Sequence, residues 1–202
     1  MNERILRILE AEARAISNIP LENGIETAIE LIFKNVHIRK GKLVTSGMGK
    51  AGKIAHDIAT TFSSTGTPAI FLHPSEAQHG DLGVLQENDI LFAISNSGKT
   101  REIIELLELK TNLYPQIPVI VLTGSPDSPL AEKAECVIFT GNPEEVCALG
   151  LTPTTSTTVM TVIGDVLVVL MMEKIGFTAD GYAKRHQGGY LGIKSRERMN
   201  GK

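Results

Sequence analysis

The sequence contains no tryptophan, few aromatic residues and little excess charge of either sign. Aromatic side chains make up 4% of its 202 residues, and the formal net charge at pH 7 is -3. Nucleic-acid surfaces rely on basic patches and on aromatic side chains that stack on bases. The composition therefore predicts neither nucleic-acid binding nor attraction to an acidic membrane.

Cysteines and long apolar runs are also scarce. Cys136 and Cys147 are too few for a disulfide framework and match no zinc-ligand spacing, and Cys136 lies in an apolar run typical of a buried thiol. The N-terminal segment lacks the apolar stretch of a signal peptide. The apolar segment from Val159 to Met172 is interrupted by polar residues and is shorter than a bilayer span. We therefore expect a cytoplasmic protein with no membrane segment and no bound metal.

Short β-rich runs alternate along the chain with segments of helical periodicity. The runs are KLVTSG, PAIFLHP, DILFAISNSG, PVIVLTGSP and CVIFTGN. Apolar strands separated by helices are typical of a parallel sheet covered on both faces. Two amphipathic helices, over about 2–17 and 22–36, are expected before the first strand, and a long helix near Thr154 after the fifth. The pattern predicts one α/β domain over 1–202, a three-layer sandwich around a five-stranded parallel sheet.

The stretch VTSGMGKAG, at positions 44–52, has the G-x-G-x-x-G spacing of a dinucleotide-binding turn. That fold also needs an acidic residue about 20 positions further on to bind the ribose. Here the second strand ends in Leu-His-Pro, and the first acidic residue is Glu76, beyond the proline. A tight strand-to-helix turn without a ligand remains an alternative for the three glycines, Gly47, Gly49 and Gly52.

The loop AISNSGKT resembles the end of a Walker A motif, but Ala93 stands where its first glycine belongs. Small hydroxyl and amide side chains surround Gly98, where we expect a helix to begin; they are Ser95, Asn96, Ser97 and Thr100. Free N–H groups at a helix N-terminus favour an anion. The alternative is that Ser97 or Asn96 serves only as a helix cap.

A third polar cluster, LTPTTSTT, also opens a helix. A helix start needs one capping hydroxyl, whereas five follow Pro153 in succession. With two helix N-termini and the Gly49-Lys50 turn expected at one sheet edge, the sequence favours a small phosphate ester over a nucleotide.

Five segments together resemble the sugar-isomerase (SIS) domain of D-arabinose 5-phosphate isomerases: GMGKAG, STGTPAIFLHPSEAQHGDLG, AISNSGKTREI, CALGLTPTTSTT and GFTADGYAKRHQGG. The resemblance covers essentially the whole chain. It implies a flavodoxin-like five-stranded parallel α/β sandwich that is typically tetrameric and needs no organic cofactor. It also implies interconversion of D-ribulose 5-phosphate and D-arabinose 5-phosphate, which feeds the 3-deoxy-D-manno-octulosonate (Kdo) of lipopolysaccharide.

The resemblance also implies the site residues. Four are catalytic candidates, namely Lys50, Glu102, Glu145 and His186. The substrate-binding candidates are Ser46, Gly49, His79, Ser95, Asn96, Ser97, Thr100, Thr154 and Thr155. His79 lines the site in a role that the resemblance does not define.

Aldose–ketose isomerisation moves a proton between C1 and C2 through an enediol(ate). It requires a base for carbon, an acid for oxygen and a cation against the developing negative charge. We assign the C1/C2 proton to Glu145, the oxygen proton or ring opening to His186, and the negative charge to Lys50. Glu102 would orient one of these or serve as the base itself.

The chain departs from the family pattern in three respects. Many members continue into paired CBS domains, whereas this sequence stops at Lys202, so we expect any feedback by Kdo or its CMP-activated form to act in the SIS domain. The usual His-Pro-Gly-Gly has Gln187 in second place, and Lys99 adds positive charge beside the phosphate loop. An isomerase of another ketose phosphate and a non-catalytic sugar-phosphate sensor are the alternative functions.

Overall fold

The central sheet forms from five short runs rich in Val, Ile, Leu and Phe. A computed structural model describes residues 1–199 and contains strands β1 (Leu43–Gly47), β2 (Ala69–Phe71), β3 (Ile90–Ile94), β4 (Val119–Thr123) and β5 (Cys136–Phe139). They pair in parallel in the order β2-β1-β3-β4-β5. The predicted parallel sheet is confirmed, and its strand order is that of flavodoxin-like folds.

Residues of the three central strands, β1, β3 and β4, alternate between two separate apolar clusters. In β3, Ile90, Phe92 and Ile94 belong to one cluster and Leu91 and Ala93 to the other, and all five are fully buried. Because both faces of the sheet are covered, its strands appear in the sequence as unbroken apolar runs.

Helices cover both faces of the sheet. Those within residues 1–199 are α1 (Asn2–Ser17), α2 (Ile25–Ile32), α3 (Gly49–Ser64), α4 (Pro74–Ala77), α5 (Arg101–Leu113), α6 (Thr155–Lys174), α7 (Ala179–Arg185) and α8 (Gly189–Met199), with a π-helical extension of α2 (Phe33–Ile38) and 3-10 turns at Asp81–Val84 and Ala131–Lys133. Helices α2, α3 and α6 pack on one face of the sheet, whereas α4 and α5 pack on the other. The predicted three-layer sandwich is therefore confirmed.

The second helix begins three residues later than predicted. Gly24 precedes it with φ +89, and a Cβ at this position would overlap the carbonyl of Val137 in β5. The side chain of Asn23 accepts the N–H of Ile25 at 3.4 Å. Tertiary packing against β5 thus sets the start of α2. The helical periodicity of the sequence contains no information about this contact.

Helix α6 extends beyond the apolar segment Val159–Met172 at both ends. With 20 residues it is long and apolar enough to cross a membrane, so the length argument from the sequence does not hold. Half of its most apolar stretch is buried in the protein, and Val159, Ile163 and Leu167 pack in the core. A core helix passes the same test, so length and composition are weak evidence for a span.

Candidate functional site

The strand order creates a crevice at one edge of the sheet. From β1 the chain moves outward to β2, and from β3 it moves in the opposite direction to β4. Loops that follow β1 and β3 therefore separate at their carboxyl ends, which is where ligands of such sheets bind. Lys50, Glu102, Glu145 and the loop Ser95–Thr100 all follow the carboxyl end of a strand.

The three glycines after β1 have separate structural reasons. A Cβ on Gly52 would lie 2.5 Å from the carbonyl oxygen of Gly47, and one on Gly47 would lie 2.9 Å from Ala51. Both therefore allow α3 to pack closely against the end of β1. Gly49 has φ +57 and open space around its Cβ position, so its backbone is accessible from the crevice. Packing alone explains two of the three glycines.

Lys50 is exposed in the first turn of α3. With Lys53 and Ile54 it lines one wall of a groove of ≈ 460 Å³ whose other wall is the start of α6, including Pro153 and Thr157. The groove joins the glycine loop to the hydroxyl-rich helix start.

The loop Ser95–Thr100 differs from the sequence expectation in one respect. Helix α5 begins at Arg101 with Thr100 as its N-cap residue, so it starts later than the expected position at Gly98, and the alternative that Asn96 or Ser97 caps the helix is wrong. The hydroxyls of Ser95 and Thr100 are hydrogen-bonded at 2.7 Å, and Ser97 Oγ accepts the N–H of Lys99 at 3.2 Å. The side chains of Asn96 and Ser97 are exposed at the loop surface, where an anion can reach them.

Gly98 holds this loop against the fold. It has φ +61, and a Cβ there would overlap Ser128 Oγ, which is itself buried. Within residues 1–199 that hydroxyl has no hydrogen-bond partner. The Gly98 carbonyl accepts the N–H of Leu130 at 3.2 Å. The loop therefore lies directly on the segment after β4, and only glycine fits its centre.

Glu145 is held at the N-terminus of α6. Its Oε2 accepts the N–H of Thr154 at 2.7 Å, the Thr154 hydroxyl at 3.0 Å and the Ser156 N–H at 3.4 Å, and its Oε1 accepts the Ser156 hydroxyl. Burial raises the pKa of Glu145, but the hydrogen bonds from Ser156 and Thr154 outweigh it and hold the pKa below its ordinary value. The carboxylate is therefore oriented and ionised at neutral pH.

Two further hydroxyls that the sequence suggests for substrate binding bond within the protein. Ser46 Oγ donates to the carbonyl of Leu72 at 2.7 Å, and Thr155 Oγ1 donates to Glu12 Oε1 at 2.9 Å. Both residues are buried. Their side chains position neighbouring segments at the edge of the crevice.

The remaining candidates lie at different depths. Glu102 is half-buried in the first turn of α5, and its carboxylate makes no hydrogen bond within the described part of the chain, whereas His79 is exposed after α4. His186 ends α7, where its Nδ1 lies 3.1 Å from the Tyr182 carbonyl oxygen and its ring stacks on that of Tyr182 at 3.8 Å. In residues 1–199 no hydrogen bond, salt bridge or ring contact joins His186 to the other three catalytic candidates.

Two residues near the site were missed in the sequence. Ser156 is one of the two donors that hold Glu145, but the hydroxyl run gave no sign of which member would do so. Cys147 lies in the following loop, where its Sγ accepts the N–H of Thr152 at 3.2 Å, and this bond is the first of several that lower the pKa of Cys147 to about 7. Cys136, in contrast, is the buried thiol that was predicted, and burial raises its pKa to about 11.

Metal-ligating side chains are dispersed in this fold. Among residues 1–199, no three His, Cys, Asp or Glu side chains are grouped so that they could hold a metal ion.

Solved structures of similar chains share this fold. A Bacteroides fragilis protein, a candidate phosphosugar isomerase involved in capsule formation, is 63% identical, with a TM-score of 0.92 over 94% of this chain and 99% of that one. An Escherichia coli CFT073 protein solved in complex with arabinose 5-phosphate is 35% identical, with a TM-score of 0.81 over 90% of this chain and 95% of that one.

A curated relative extends the similarity to a named enzyme. The arabinose 5-phosphate isomerase KdsD of Shigella flexneri is 47% identical over 161 residues, which are 80% of this chain and 48% of the relative. The chain spans about half the length of the curated relatives it matches. The SIS domain model matches residues 38–170. The chain therefore belongs to the SIS-domain family.

Proposed function

We propose that the protein is an aldose–ketose isomerase that interconverts D-ribulose 5-phosphate and D-arabinose 5-phosphate. The observation that carries this proposal is the oriented, ionised carboxylate of Glu145 at the same sheet edge as an exposed hydroxyl and amide loop. Similarity to enzymes named arabinose 5-phosphate isomerase, and to a protein solved with arabinose 5-phosphate, supports this substrate.

In the proposed reaction one set of residues binds the phosphate and another carries out the proton transfer. The loop Ser95–Thr100 binds the phosphate through exposed Asn96, Ser97 and backbone N–H groups. Glu145 takes the proton from C1 or C2 as a carboxylate, the unprotonated form that a base requires, and its hydrogen bonds to Thr154 and Ser156 hold that carboxylate in one orientation. Lys50, exposed on the groove wall, stabilises the negative charge of the enediolate. Glu102 lies close to the phosphate loop and orients the substrate.

His186 completes the proposed site from a second copy of the chain. Helix α6 starts beside Glu145 and carries the chain about 30 Å away, at 1.5 Å per residue, before α7 begins. His186 lies at the end of α7, bonded only within its own helix among the described residues. A neighbouring subunit is the simplest source of a proton donor for the substrate oxygen.

Helix α1 supports self-association. None of its residues is buried, and one side exposes a group of large apolar residues, which are Ile5, Leu6, Ile8 and Leu9. Exposed apolar patches of this kind mark interfaces between proteins. We propose that this surface joins copies of the chain in a homo-oligomer, with a tetramer as the expected size.

The cellular setting of the proposed enzyme follows from its product. Arabinose 5-phosphate would enter Kdo and lipopolysaccharide synthesis in the cytoplasm. Kdo or its CMP-activated form would compete with substrate at the same crevice, in a single domain that spans 1–202.

Solvent exchange distinguishes an isomerase from a sugar-phosphate sensor. Purified protein is incubated with ribulose 5-phosphate in deuterium oxide, and exchange at C1 and formation of arabinose 5-phosphate are followed by NMR. We expect both signals, and both should disappear in Glu145→Gln. Binding of ribulose 5-phosphate with neither exchange nor product would identify a sensor, and turnover of only another ketose phosphate would reassign the substrate.

A further inference from the structure

Glu12 connects the N-terminal helix to the loop that carries Glu145. It lies one turn after the exposed Ile8 on the same face of α1, in the second half of the helix, and its Oε1 accepts the hydroxyl of Thr155 at 2.9 Å, although 143 positions separate the two residues. Within residues 1–199 this is the only hydrogen bond from a side chain of α1 to another element. The bond is also shielded from water, since Thr155 is 1% exposed.

Thr155 passes this contact on to the candidate catalytic segment. Its Oγ1 donates to Glu12 and accepts the backbone N–H of Val146 at 3.2 Å. Val146 directly follows Glu145, and Thr155 lies between Thr154 and Ser156, the two residues that donate to the Glu145 carboxylate. A displacement of the Thr155 hydroxyl therefore affects both the backbone that follows Glu145 and the two residues that donate to its carboxylate.

The second oxygen of Glu12 gives an independent reason to assign a role to this residue. Glu12 Oε2 is buried and has no hydrogen-bond partner among the described residues. An unpaired buried acceptor lowers stability, but Oε1 of the same carboxylate gives the buried hydroxyl of Thr155 the acceptor that an apolar residue would lack. The contact with Thr155 is therefore the contribution that Glu12 makes at this position.

We infer that Glu12 is a positioning residue for Glu145, acting through the hydroxyl of Thr155. The inference rests on the proposed isomerase function for its kinetic effect. The hydrogen bonds from Val146 to Thr155 and from Thr155 to Glu12, which together form the relay, do not depend on that function. The relay also links α1, the proposed surface of self-association, to the segment 145–156.

Kinetics of three variants test the relay. Glu12→Ala removes the acceptor, Thr155→Val removes the hydroxyl at nearly constant shape, and Glu12→Gln keeps an acceptor oxygen. We expect the first two to lower kcat about 10-fold with KM within about 2-fold, because a displacement of 1 Å in a catalytic group costs up to about 10²-fold. Glu12→Gln should retain most of kcat. The double variant Glu12→Ala/Thr155→Val should lose no more than the worse single variant, since both changes break one relay.

A pH profile adds a readout that a general loss of stability would not move. In Glu12→Ala the hydrogen bonds to Glu145 loosen, so the pKa of Glu145 rises and the acidic limb of kcat moves to higher pH. The control is Glu10→Ala, an exposed glutamate on the same helix, with oligomer mass checked by light scattering for every variant. Unchanged kcat in Glu12→Ala and Thr155→Val relative to this control, or losses that multiply in the double variant, would overturn the inference.

Hydrogen exchange separates this inference from the proposed function. Amide exchange in the peptide 144–156 of the substrate-free protein should be faster in Glu12→Ala than in wild type or Glu10→Ala. Unchanged exchange overturns the relay whatever the rates are. Faster exchange in a protein that shows no isomerase activity supports the relay and rejects the proposed function.

Discussion

Replacement of Glu145 by glutamine tests the carboxylate that the site depends on. Hydrogen bonds to a charged group contribute about 1.5–3 kcal/mol, and a negative charge at a helix N-terminus adds about 0.3–1 kcal/mol. Glutamine keeps one acceptor oxygen for the N–H of Thr154 but loses the charge and the bond that Oε1 accepts from Ser156. We expect Glu145→Gln to lower the free energy of unfolding by about 2–3 kcal/mol at pH 7. In a chain of this size that corresponds to a decrease in Tm of about 4–12 °C.

The destabilisation by Glu145→Gln should become smaller as the pH falls. The pKa of Glu145 in the folded protein is below its ordinary value of 4.5. Its stabilising contribution is therefore complete above that value and is lost as the pH falls through the folded pKa. Urea unfolding at one protein concentration, at pH 7 and at pH 3–4, measures the difference between wild type and Glu145→Gln. The matched control is Glu144→Gln, an exposed neighbour. A difference that equals the control at pH 7, or that stays constant down to pH 3, would refute the capping geometry.

Three further predictions concern the loop Ser95–Thr100 and the catalytic candidates. Gly150→Ala, which has open space around its Cβ, should show only the backbone strain of about 1–3 kcal/mol, whereas Gly98→Ala, with a similar positive φ, should destabilise the fold by more than this and raise KM. Equal unfolding midpoints of the two variants would contradict the steric argument. Lys99→Ala should raise KM for ribulose 5-phosphate a few-fold at low salt and less at high salt, and an unchanged KM would count against a role in anion binding. Lys50→Ala and His186→Ala should each be inactive alone but regain activity when co-refolded, as measured by the isomerase assay, and no recovery would place both residues in one subunit's site.

The sequence predicted the sheet because its signal is local. Each strand is an apolar run with a polar, glycine-rich end, so strand number, parallel direction and the ligand edge all follow from the pattern. Helix boundaries were less accurate, because tertiary contacts set them. Gly24 precedes α2 where its backbone meets Val137, and Gly98, packed against Ser128, lies in the loop before α5, which begins at Arg101.

Contacts between distant segments could not be predicted from one sequence. Helical spacing places Glu12 on the apolar face of α1, three and four residues after Leu9 and Ile8, and Glu10 on the polar face, but this spacing does not identify the partner of Glu12. Its contact with Thr155 depends on how α1 packs beside α6, which the periodicity of either helix leaves open. The surroundings of His186 could not be predicted either, since its motif gives its identity and only the structure shows its contacts with Tyr182.

The dense hydroxyl run at the start of α6 has a different explanation from the one its sequence favoured. Thr154 and Ser156 hold Glu145, Thr155 connects to Glu12, and the hydroxyls of Thr157 and Thr158 donate back to the Thr154 carbonyl at 2.6 and 3.1 Å. These hydroxyls therefore make hydrogen bonds within the protein, where they orient the Glu145 carboxylate and stabilise the first turn of α6. In the proposed isomerase the loop Ser95–Thr100 would then supply most of the phosphate binding, because its amide and hydroxyl groups at Asn96 and Ser97 are exposed.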